Sequence, residues 1–64
     1  MEYTNSRDPL EHTTKIKLEL SELIQHLRED ISLVDDVRAK ALFEVSAEVL
    51  AGLHKAFSDY EEGK

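Results

Sequence analysis

The sequence predicts an all-α chain, an antiparallel two-helix hairpin that self-associates into a four-helix bundle. Three observations carry that expectation. The only proline is Pro9 and the only glycines are Gly52 and Gly63, so little interrupts a helix across most of the 64 residues. Apolar residues recur at three- and four-residue steps in two stretches, the period of a half-buried helix. The second stretch carries more apolar surface than one neighbouring helix covers.

Residues 1–7 are expected to form a flexible polar arm, with nothing to pack against a core. The first helix is expected over about residues 9–34. Asp8-Pro9-Leu10-Glu11 gives it a start: an acceptor at the N-cap, a proline whose missing N–H has no helical partner anyway, and a glutamate in the capping-box position. Ile16, Leu20, Leu23, Ile24, Leu27, Ile31 and Val34 then fall within an arc of roughly 100°. Leu18 and Leu33 point away from that stripe.

A turn is expected at residues 35–36, where Asp35 or Asp36 can cap the second helix. The stretch around it holds neither glycine nor proline, so one unbroken helix is the alternative. The second helix is expected over about residues 37–61, ending at Gly63 as a C-terminal cap. One of its stripes runs through Leu42, Val45, Val49, Leu53, Ala56 and Tyr60. Beside it lies the heptad series Phe43, Leu50 and Phe57.

Together the two stripes span roughly 160° of the helix, more than one partner needs. The hairpin supplies one partner, and the Phe43/Leu50/Phe57 series is assigned to a second copy. A single seam between two helices also buries too little apolar surface to offset the ordering of roughly 50 residues. A two-fold homodimer solves both problems with one self-complementary patch. The expected interface is Phe43, Leu50 and Phe57 with Val49 and Leu53; the alternative occupant is a helix from a different protein.

Composition narrows the function. Fourteen acidic residues against eight basic ones give a formal charge of −6, which argues against nucleic-acid or anionic-membrane partners. The second helix, with Arg38, Lys40 and Lys55 among several carboxylates, is not a basic recognition helix. No cysteine is present, so disulfides, thiolate metal sites and thiol nucleophiles are excluded. The first residues do not read as a secretory signal and no apolar run reaches the roughly 18 residues a membrane span needs, so a cytoplasmic location is expected.

The serines show no recognisable nucleophile arrangement and there is no glycine-rich phosphate loop, so no enzymatic activity and no cofactor are expected. One constellation suggests chemistry. Glu22 and His26 share a helix face at i,i+4, and Glu44 and Glu48 lie at a similar height on the second helix, a set that could hold iron in a carboxylate-rich bundle. Against this, the Glu-x-x-His spacing of di-iron bundles is absent. The sequence therefore favours a non-catalytic oligomerisation or interaction module, with a metal-binding, iron-handling bundle as the alternative.

Overall fold

A computed structural model describes residues 7–64. Two helices, α1 (Pro9–Ile31) and α2 (Val37–Glu61), are joined by residues 32–36. Of the expected arm only Arg7 is described, and it is exposed; residues 1–6 lie outside the described part.

Each helix starts on an aspartate. The Leu10 N–H donates to Asp8 Oδ1 at 3.0 Å, and the Arg38 N–H donates to Asp36 Oδ1 at 3.1 Å. Both caps have extended backbone, as an N-cap requires. The end of α2 is a Schellman motif. Gly63 takes a left-handed φ of 79°, the Lys64 N–H donates to the Asp59 carbonyl at 2.9 Å, and the Gly63 N–H donates to the Tyr60 carbonyl at 3.1 Å.

The first helix stops at Ile31, three residues short of the expected boundary. At this end the Ser32 hydroxyl donates to the Glu29 carbonyl at 2.7 Å, while the Ser32 and Leu33 N–H groups reach back only three residues, to Glu29 and Asp30. This tightens the last turn, and Asp36 then captures the start of α2. The connection therefore spans residues 32–36, not only 35–36, and the chain does not run on as one helix.

The helices pack against each other antiparallel, bringing Thr13 and Lys17 beside Glu61 across the open end. From α1, Ile16, Leu20, Ile24, Leu27 and Ile31 are half-buried, as the periodicity implies. From α2, the row turned inward is Phe43, Ala47, Leu50, His54 and Phe57. Ala47, 4% exposed, is the one buried residue among those described. Its small side chain lets the axes approach at mid-length.

The two apolar rows of α2 differ in exposure. The Phe43/Leu50/Phe57 series is half-buried on the side of α2 turned toward α1, and Leu50 and Phe57 also border open grooves. The Leu42-to-Tyr60 stripe lies about 120° further round α2 and faces outward. The choice is steric: the heptad row places Ala47 between its aromatic and leucine side chains, and large side chains can settle around a small one.

Candidate functional site

The most distinctive surface is one broad face of the hairpin. Leu42, Val45, Val49, Leu53 and Tyr60 stand along α2 with between 45% and 63% of their surface exposed. Ala56, also exposed, continues the row. From α1, Leu23 (47% exposed) borders the same side. Toward the turn, a shallow groove is lined by Leu23, Leu27, Val45, Ser46, Val49 and Leu50. Toward the open end, a second groove runs between Pro9, His12 and Thr13 of α1 and Ala56, Phe57 and Tyr60 of α2, with Arg7 at its rim.

The two grooves and the stripe between them form one apolar face. Its large side chains present on the order of 500 Å², the upper part of what the largest patch on a monomer usually shows. The opposite face differs in kind. There the space between the helices is lined by Ser21, Ile24, Gln25 and Arg28 of α1 and Ala51 and His54 of α2, a mostly polar set.

Of the residues expected at an interface, the structure places Val49 and Leu53 near the middle of the apolar face. Phe43, Leu50 and Phe57 are half-buried along the seam with α1, and Leu50 and Phe57 also border the two grooves. Leu42, Val45, Ala56 and Tyr60, legible in the sequence as a stripe, join the exposed surface. Gly52 lies on the same outer side of α2. A Cβ there would meet no atom within 4 Å, so nothing inside the chain requires a glycine at a position where it costs about 1 kcal/mol relative to alanine.

The open end carries a polar link that spans the hairpin. Lys17 Nζ donates to Glu61 Oε1 at 2.7 Å, and the Thr13 hydroxyl donates to the other oxygen, Oε2. Glu61 is held below the usual glutamate range by the hydrogen bond from Lys17 first and that from Thr13 next; desolvation opposes them. The positive charge of Lys17 and the field of His54 act in the same lowering direction. The link fixes the antiparallel register at its most distant point from the turn. Sequence spacing gave no sign of it.

The carboxylate and histidine set is placed differently from what a shared metal needs. Glu22, His26, Glu44 and Glu48 are all exposed, the first pair on the outer side of α1 and the second on the outer side of α2. His26 Nε2 lies 3.1 Å from Asp30 Oδ2 on its own helix. Among the described residues no three His, Asp or Glu side chains converge as a metal site. Nor is any described helix long and apolar enough to cross a membrane.

Comparison with known family models, with curated proteins and with solved structures returned no match.

Proposed function

We propose that this chain is a non-catalytic self-association module. Its apolar face packs against the same face of a second copy, and two hairpins make a four-helix bundle. One observation carries the reading: a single alanine is buried among the described residues, while five large apolar side chains stand exposed in one row of α2. A helix owes most of its stability in a protein to an apolar face covered by something else. Here α1 covers one row of α2 and leaves the other.

The polar groups support the same reading. Acidic residues such as Glu22, Glu44 and Glu48 occupy outer edges, away from the apolar face. They keep the assembled object charged on its outside and leave the face free to become an interior.

The reading is tested by placing charge on that face. Val49→Glu combined with Leu53→Glu should convert an associated species to a monomer in size-exclusion chromatography with light scattering, because unpaired carboxylates would have to be buried. Glu22→Ala combined with Glu44→Ala should leave the association state unchanged. A double-glutamate variant that elutes and scatters as the parent does would contradict the proposal.

A further inference from the structure

Resting on that self-association, we infer its register: α2 of one copy runs antiparallel to α2 of the other, with the two-fold axis crossing the helix beside Gly52. The row itself is the first argument. Its members are arranged nearly symmetrically about residue 51, with Val49 and Leu53 two residues either side and Leu42 and Tyr60 nine either side. An antiparallel two-fold pair needs a row of this kind, in which residue i meets j and j meets i about one centre. The antiparallel register sets Val49 against Leu53 of the second copy, Leu42 against its Tyr60, and Val45 against its Ala56.

Gly52 is the second argument. It sits within about one residue, or 1.5 Å along the helix, of that centre. It faces open space in the single chain, where a Cβ would meet no atom within 4 Å. An axis at this point supplies the neighbour that the chain lacks: the backbone of the second α2, which can come close only where no side chain intervenes.

Thiol cross-linking tests the register, because the chain has no native cysteine. Leu42 and Tyr60 are exposed, so cysteine at either position leaves the hairpin intact. In the inferred register two copies of residue 42 lie about 27 Å apart along the helix, whereas residue 42 meets residue 60. A mixture of Leu42→Cys and Tyr60→Cys chains should therefore cross-link through a short bismaleimide, and Leu42→Cys alone should not. Gly52→Leu, a better helix former, should reach the parent's helicity by circular dichroism at concentrations well above its own dissociation constant, yet raise that constant by roughly tenfold or more, because the added side chain obstructs the crossing.

A wild-type dimer in which Leu42→Cys cross-links to itself overturns the register and leaves self-association standing. So does a dimer with no cross-link in the mixture, or one whose dissociation constant Gly52→Leu does not change. A wild-type chain that stays monomeric at all concentrations overturns both the register and the function on which it rests.

Discussion

Glu61 shows what one side chain contributes in a hairpin with almost no buried core. It accepts hydrogen bonds from Lys17 and Thr13, with 20% of its side chain and 24% of that of Lys17 exposed. Its carboxyl is held below the ordinary value of 4.5, so the folded state binds this proton less readily than the unfolded chain does. The stabilisation is therefore fully present above about pH 4.5 and is lost as pH falls through the lowered value. Glu61→Gln should melt below the parent at pH 7, and the gap should narrow as the pH is taken below 4.5, as followed by circular dichroism. An unchanged gap across that range would place the effect in packing. The caps Asp8, Asp36 and Gly63 were legible in the sequence because each acts within about five residues of itself. The Glu61 link joins positions 44 and 48 residues apart, which no local pattern records.

Between the helices the decisive residue is Ala47. Periodicity reveals that α2 carries two apolar rows but is silent about which one meets α1, since both satisfy the same helical spacing. The answer depends on how closely the helices approach, and Ala47 sets that approach from within the heptad row. Ala47→Leu should destabilise the hairpin by about 1–3 kcal/mol, because the added carbons have no space to occupy. Ala41→Leu, on an exposed part of the same helix, should be near neutral. Chemical denaturation of the two variants checks this; equal stabilities would mean that the seam at Ala47 is loose. The early end of α1 is likewise not readable from helical spacing: there the backbone tightens to three-residue hydrogen bonds at Ser32 and Leu33.

At the scale of the whole molecule the hairpin is a flat layer whose shortest dimension is 12 Å. Stable domains stack at least two layers around an interior, and a single layer of two helices has none of its own. The all-α hairpin was readable from two periodic stretches and three caps. The exposed apolar face was readable only as a surplus of apolar surface, whose location had to come from the packing. The carboxylates and histidine that suggested a metal site share a helix spacing, yet the fold sends the two pairs to separate outer edges. The proposed self-association would supply a second layer, and its most direct test is sedimentation equilibrium of the unaltered chain over a wide micromolar range. A reversible shift from one chain mass to twice that mass is the predicted result, with helicity rising alongside it. A fully helical, cooperatively melting monomer across the whole range would contradict the account.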